Sequence, residues 1–280
     1  MNYCFGVDIG GTTVKIGLFE ETGTIVEKWE IPTNTLADGE AILPDIAFSL
    51  KTKIEERKLS EEDILGIGVG VPAPVTAEGI VNGSANLGWK YKEVKKEMEE
   101  LTGLKAYIGN DANVAALGEM WKGGGAGEKN MIMVTLGTGV GGGVIIDGKM
   151  LVGNNGAGGE IGHICVNYEE NDRCGCGNKG CLEQYASATG IVRLAEQKLK
   201  TEKRETILNK AAITAKDVFD AVKAGDEVAD EIAAEFGKYL GYGLANLAAV
   251  VNPAVFVIGG GVSKAGEVLI PYIELSLIHI

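Results

Sequence analysis

Apolar residues run from Tyr3 to Ile9, break at Gly10-Gly11-Thr12-Thr13 and resume over 14–19. Short apolar runs bounded by turn residues predict strands. The Glu21-Thr22-Gly23 turn leads to a third strand over 24–31, so the chain opens as a meander with a Gly/Thr corner. Ile42, Ile46, Leu50 and Ile54 recur at the spacing of one helix face. Ser60 with Asp63 predicts a capping box for a short helix. A buried strand is expected over 65–71, ending in Pro72-Ala73-Pro74, and a polar loop with one aromatic over 84–89. Val94, Met98 and Leu101 mark a helix that Gly103 ends. A strand over 105–109 runs into Asn110-Asp111, and 112–122 reads as the next helix.

Beyond a glycine-rich connector at 123–127, a candidate hinge, the opening pattern returns. Met131–Leu136 is a strand, and Gly137-Thr138-Gly139 with Gly141, Gly142 and Gly143 makes a second glycine corner. A second strand follows over 144–146, then the Asp147-Gly148 hairpin turn and a third strand starting over 149–152. Such a repeat implies an internal duplication, with two related α/β domains and a ligand between their glycine corners. The expected boundaries are 1–111 for a smaller domain and 112–274 for a larger one.

Further on, 189–200 reads as a helix and 200–210 as a charged, solvated stretch. Val228, Ile232, Phe236, Leu240 and Leu244 form one helical stripe. Ala229, Ala233, Gly237, Gly241 and Ala245 form a neighbouring stripe of small residues suited to close packing. A last buried strand over 255–258 ends in Gly259-Gly260-Gly261, a third glycine loop that suits the ribose or adenine side of a nucleotide.

Composition narrows the class. The 280 residues are 45% hydrophobic and 6% aromatic with 42 Gly, which suggests an α/β enzyme with many tight turns. The net charge of −13 argues against a nucleic-acid or anionic-membrane surface. It leaves open a phosphate-bearing small ligand, which backbone amides can hold. No basic-then-apolar leader is read before the first strand, and the most apolar window, 243–262, is broken by Asn, Pro and Gly. The expected compartment is the cytoplasm.

The stretch 156–185 concentrates the candidate chemistry. His163, Cys174, Cys176 and Cys181 are spaced H-x10-C-x-C-x4-C. Three thiolates and an imidazole suit a closed, tetrahedral structural zinc site. Redox-active thiols and a chance cluster are the alternatives. Cys4 and Cys165 lie in apolar runs and are expected in the core. A closed metal site fixes its neighbours, here Glu160, three residues before His163, and Glu183, two after Cys181.

Two corners have both a plain and a chemical reading. Asp8, Gly10, Gly11, Thr12 and Lys15 form either an ordinary glycine hairpin or a phosphate-binding corner. Asp111, where a strand gives way to a helix, is either a helix cap or a catalytic base at the carboxyl edge of a sheet. There is no G-x-x-x-x-G-K-[ST] motif, which excludes P-loop chemistry.

The chain ends Leu275-Ser276-Leu277-Ile278-His279-Ile280. This segment equals one reading frame of the mosaic-end adapter used in transposon-based sequencing libraries. It is expected to be a read-through artefact beyond which the native chain continued, which removes His279 as a site candidate.

With these residues in place, the chain resembles the ROK family (repressors, open reading frames, sugar kinases), and within it the bacterial glucokinases. The resemblance rests on VDIGGTTVKIG, GVGVPAPV, NLGW, GNDANVAALGE, TLGTGVGGG, GAGGEIGH, CGCGNKGCLEQYAS and VIGGGVS, in family order. It implies a duplicated actin-like (ribonuclease H-like) ATPase fold, and transfer of the γ-phosphoryl of ATP to the 6-hydroxyl of glucose. Asp111 is then the general base, and Asn86, Asn110, Glu160, His163 and Glu183 grip the sugar. Gly10, Gly11, Thr12 and Lys15, with Gly137, Thr138 and Gly139, embrace the phosphates. Asp8 contacts Mg²⁺ through water, and Gly259, Gly260 and Gly261 lie near adenosine. His163, Cys174, Cys176 and Cys181 hold zinc. Homodimers are usual in the family. Ala73 departs from the family's usual Gly. The alternatives are a kinase of N-acetylmannosamine, N-acetylglucosamine or fructose, and a sugar-sensing repressor without catalysis.

Overall fold

The structure, a computed structural model, describes residues 2–277. The chain divides into two compact units, Met1–Gly118 with Leu151–Gly158, and Glu119–Met150 with Gly159 onward. The first unit therefore runs past position 111 and takes back a short stretch after the second unit has begun.

The first unit is built on a five-stranded sheet. Its strands are β1 (Tyr3–Ile9), β2 (Thr13–Glu20), β3 (Ile25–Pro32), β4 (Ile64–Val71) and β5 (Ala106–Asn110), in the order β3-β2-β1-β4-β5. The meander β1-β2-β3 is antiparallel, while β4 and β5 run parallel to β1. Phe5, Val7, Ile9, Val14, Ile16 and Leu18 alternate along their strands and are all buried, as period-two patterning requires. They share a core with helices α2 (Ile42–Arg57) and α3 (Val94–Thr102), which contribute Ile42, Ile46, Leu50, Val94 and Met98. A short turn, labelled α1 (Leu36–Gly39), in which Ala37 and Asp38 take left-handed φ of 50° and 57°, precedes α2, and α4 (Asp111–Lys122) follows β5 directly. Because β1, β4 and β5 are parallel, Gly10–Gly11, Pro72-Ala73-Pro74 and Asn110–Asp111 emerge at one carboxyl edge, where ligand sites of such sheets gather.

The second unit repeats the plan. Its strands β6 (Met131–Leu136), β7 (Val140–Ile146), β8 (Lys149–Met150) and β9 (Val255–Gly259) take the order β8-β7-β6-β9. The meander is again antiparallel, and β9 again lies parallel to its first strand. The duplication read from the sequence is thus present in the strand topology. Helices α5 (Glu183–Ala186), α6 (Ala188–Thr201), α7 (Ala215–Lys223), α8 (Glu227–Val251) and α9 (Ile270–Leu277) complete the unit. Val228, Ile232, Phe236, Leu240 and Leu244 of α8 are buried in its core. The small-residue stripe lets α8 approach α9, and a Cβ on Gly237 would meet the Tyr272 backbone 2.6 Å away.

Several local expectations are corrected. Gly141, Gly142 and Gly143 lie inside β7, so the second corner is Gly137–Gly139 alone. Gly142 serves packing, since a Cβ there would collide with Ile161. Ser60 caps through the Glu62 N–H at 3.3 Å, and the turn at Glu61–Asp63 is 3-10, so no capping box with Asp63 forms. The strand β9 is half-buried and lies at the edge of its sheet, pairing among the described residues with β6. Cys4 and Cys165 are likewise half-buried, and Leu208 in the charged stretch is fully buried. The adapter-like segment Leu275–Ile280 begins within α9, and its residues 278–280 lie outside the described residues. No helix among the described residues is long and apolar enough to cross a membrane.

Candidate active site and metal cluster

The first corner is a rigid turn with an open rim. Gly10 N–H donates to the Thr13 carbonyl at 3.0 Å, and a Cβ on Gly10 would sit 2.9 Å from that oxygen. Thr33 holds the corner from β3's side, its hydroxyl donating to the Gly10 carbonyl at 2.6 Å and its N–H to the Thr12 carbonyl at 2.9 Å. Asp8 and Lys15 face each other across the hairpin, and both are exposed, as are Gly11 and Thr12. Asn86 arrives from a 3-10 turn at Ala85–Leu87, and a Cβ on Gly11 would touch its carbonyl at 3.5 Å. The fold thus brings Asn86 to the first glycine corner.

Asp111 stands at the junction of β5 and α4. The capping work falls to its neighbour, because Asn110 Oδ1 accepts the Asn113 N–H at 3.1 Å. The other end of the Asn110 amide donates to the Ala73 carbonyl at 3.3 Å. Asp111 Oδ1 accepts the next N–H, that of Ala112, at 2.8 Å. Desolvation pushes the Asp111 carboxyl above its ordinary range; the Ala112 N–H pulls the other way, and the Asp8 carboxylate adds to the rise. Gly70 on β4 makes room, since its Cβ would meet the Asp111 Cα at 3.6 Å. Asn113 went unremarked in the sequence: it is buried, and its Oδ1 has no partner among the described residues.

In the second unit, His163, Cys174, Cys176 and Cys181 bring one ligand atom each to within 4.8 Å of one another. Cys174 Sγ lies 3.8 Å from His163 Nδ1, and Cys176 Sγ lies 3.6 Å from Cys181 Sγ. A tetrahedron with Zn–S bonds of about 2.3 Å has edges of roughly 3.8 Å, so the donor set fits zinc in size and chemistry. The loop is shaped locally: Cys174 N–H donates to the Asn178 carbonyl at 2.8 Å, and Gly177 and Gly180 take positive φ of 89° and 70°. Burial, and then the neighbouring thiols, push Cys181 far above the ordinary thiol range. A divalent cation relieves that crowding by replacing the protons.

Glu160 precedes the turn Ile161–His163, whose His163 N–H donates to the Glu160 carbonyl at 3.1 Å. Glu183 opens α5. One of its oxygens accepts the Val140 N–H at 2.9 Å, and the other lies 3.7 Å from Cys174 Sγ. Glu183 therefore reaches both the Cys/His cluster and the strand start beside the second glycine corner, where a Cβ on Gly139 would collide with its carboxylate.

That corner adjoins the third glycine loop. The strands β6 and β9 are parallel with Thr135 opposite Gly259, so Gly137–Gly139 and Gly260–Gly261 leave the sheet side by side. Gly260 has φ of 86°, and its missing Cβ would press on the Leu136 backbone. Beside the loop lies a cavity of about 420 Å³ lined by Ala188, Ala215, Phe219, Gly261, Val262 and Lys264. The sequence reading named no residue of α7 here; the Thr214–Asp217 capping box that starts this helix was the available signal.

Two meanders, each with a glycine corner and a parallel strand beside it, define the duplicated actin-like ATPase fold. The chain belongs to the ROK family, whose description matches residues 4–277. It is 47% identical over 275 residues to the glucokinase of Halalkalibacterium halodurans, covering 96% of this chain and 83% of that one. A crystal structure of a ROK family glucokinase from Streptomyces griseus in complex with glucose and AMPPNP superposes with a TM-score of 0.79. It is 34% identical and covers 99% of this chain and 89% of its own. The ROK hexokinase of Thermus thermophilus gives a TM-score of 0.81 at 30% identity, with 99% and 89% covered.

Proposed function

We propose that this protein is an ATP-dependent glucokinase that transfers the γ-phosphoryl group to the 6-hydroxyl of glucose. The observation that carries the reading is the 47% identity to a glucokinase across 96% of the chain. The likeness to a relative crystallised with glucose and AMPPNP supports the same substrates.

In the first unit Asp111 is the general base. Its rise by desolvation suits a carboxylate that takes up a proton during turnover. The sugar O6–H proton passes to Asp111 as O6 forms its bond to Pγ, and the bond from Pγ to the bridging oxygen breaks, leaving ADP with that electron pair. Asn86 and Asn110 are sugar partners; because Asn110 spends both ends of its amide on the fold, its part is to hold the loop as well as to meet the sugar. Gly10, Gly11, Thr12 and Lys15 serve the phosphates, and Asp8 serves the Mg²⁺ that arrives with ATP.

In the second unit Glu160, His163 and Glu183 are the sugar-hydroxyl partners. His163 Nδ1 faces the thiols, which leaves Nε2 for the sugar. His163, Cys174, Cys176 and Cys181 would hold zinc, which cross-links this loop and does no chemistry itself. Gly137, Thr138 and Gly139 serve the phosphates, and Gly259, Gly260 and Gly261 with the Phe219 cavity serve adenosine.

Free thiols at such a cluster suit a reducing compartment, which supports a cytoplasmic protein. Family habit supports a homodimer, which light scattering in solution tests. A coupled ADP-release assay with ATP, Mg²⁺ and glucose tests the activity. Glucose turnover is expected to exceed that of N-acetylmannosamine, N-acetylglucosamine and fructose; a reversed order would move the substrate to another hexose.

A further inference from the structure

Three hydrogen bonds tie the Gly137–Gly139 corner and Val140, the first residue of β7, to the segment that follows the thiol Cys181. Val140 N–H donates to Glu183 at 2.9 Å, Ala188 N–H donates to the Gly137 carbonyl at 2.8 Å, and the Thr189 hydroxyl donates to the Thr138 carbonyl at 2.8 Å. A fourth closes the corner on itself, from Gly137 N–H to the Gly139 carbonyl at 2.9 Å. Every carbonyl from Gly137 to Gly139 is thereby satisfied within the second unit. The Thr138 and Gly139 N–H groups have no acceptor among the described residues. Carbonyls spent and amides unspent is the bonding state of a backbone anion site.

Of the three ties, one comes from backbone and one from Glu183, which already has a proposed task. Thr189 is the remaining side chain. It is exposed on the first turn of α6, a turn fixed by Ser187, whose hydroxyl accepts the Gly190 N–H at 2.9 Å. We infer that Thr189 is a positioning residue for the nucleotide corner: its hydroxyl engages the Thr138 carbonyl and so keeps the neighbouring amides aimed for phosphate. The inference rests on the nucleotide reading of this corner.

The test compares Thr189→Val, which keeps the shape and removes the donor, with Thr189→Ser, which keeps the donor. Thr189→Val is expected to raise the KM for ATP about 3- to 10-fold, the size of one neutral hydrogen bond, with kcat and the KM for glucose little changed. Its amides over 137–141 should exchange faster with solvent in the ligand-free protein. Thr189→Ser should restore both readouts. A Thr189→Val protein with unchanged ATP KM and exchange overturns the inference, as does a Thr189→Ser protein equally impaired. If the wild-type protein phosphorylates no hexose, the kinase reading fails on its own; the exchange difference between the two variants still decides whether Thr189 holds the corner.

Discussion

Tyr185 donates its hydroxyl to the Glu170 carboxylate at 2.5 Å, and Arg193 closes on the same oxygen. The other Glu170 oxygen accepts the Asn171 and Asp172 N–H groups at 2.8 and 2.9 Å. Burial alone would raise this carboxyl, but Tyr185, the Asp172 N–H and Arg193 outweigh it and hold Glu170 at about 2. Because that lies below its ordinary value of 4.5, the stability it contributes is complete above pH 4.5 and is lost as pH falls toward 2. Glu170→Gln should therefore cost about 1–3 kcal/mol at pH 7 and close to nothing at pH 2. Urea unfolding of both proteins across that range measures the difference, in which the acid release of any metal cancels.

Asp111→Ala should lower kcat by roughly 10²–10⁴-fold, the usual cost of removing a general base, while glucose still binds. Stopped kinetics paired with calorimetric glucose titration separates the two. Since desolvation raises Asp111 and the base must be ionised to act, kcat/KM of the wild-type protein should climb with pH through an apparent pKa above the ordinary Asp value. An acid limb at or below that value would speak against Asp111 as the base.

Metal analysis should find one zinc per chain. Stripping it should lower the unfolding temperature and weaken glucose binding together, because His163 and Glu183 stand at the cluster. Cys181→Ser should be more damaging than Cys176→Ser, since Cys181 is fully buried and Cys176 exposed. Equal melting curves for loaded and stripped protein would contradict a structural role.

Gly260→Ala combines a positive φ with a collision against the Leu136 backbone. A loss of about 1–3 kcal/mol is expected in denaturant unfolding, with weaker ATP binding beside it. Gly261→Ala, which meets open space, is the control and should leave stability near wild type.

The motif-bearing turns were legible in the chain because each depends on close neighbours. Gly10–Gly11 break one apolar run and Gly137–Gly139 another, and the strands on either side follow from period-two burial. The thiol and imidazole spacing likewise pointed to the four residues whose ligand atoms the fold gathers within 4.8 Å of one another. Local reading failed where a glycine had a packing purpose: Gly142 sits inside β7 to admit Ile161, and nothing near it in sequence announces that. It also left open whether Asp111 caps α4 or acts as a base, and only the Asn110–Asn113 bond shows that the capping falls to the neighbour.

The sequence by itself determined the duplicated strand pattern, the glycine corners and the residues able to hold zinc, since helix and strand periodicity and turn chemistry act over a few residues. The tertiary structure decided which of these meet. The bond from Val140 to Glu183 spans 43 positions and that from Thr189 to Thr138 spans 51. Such pairings form only when α5 and α6 pack against β6 and β7, and no local preference encodes which distant carbonyl a hydroxyl will find.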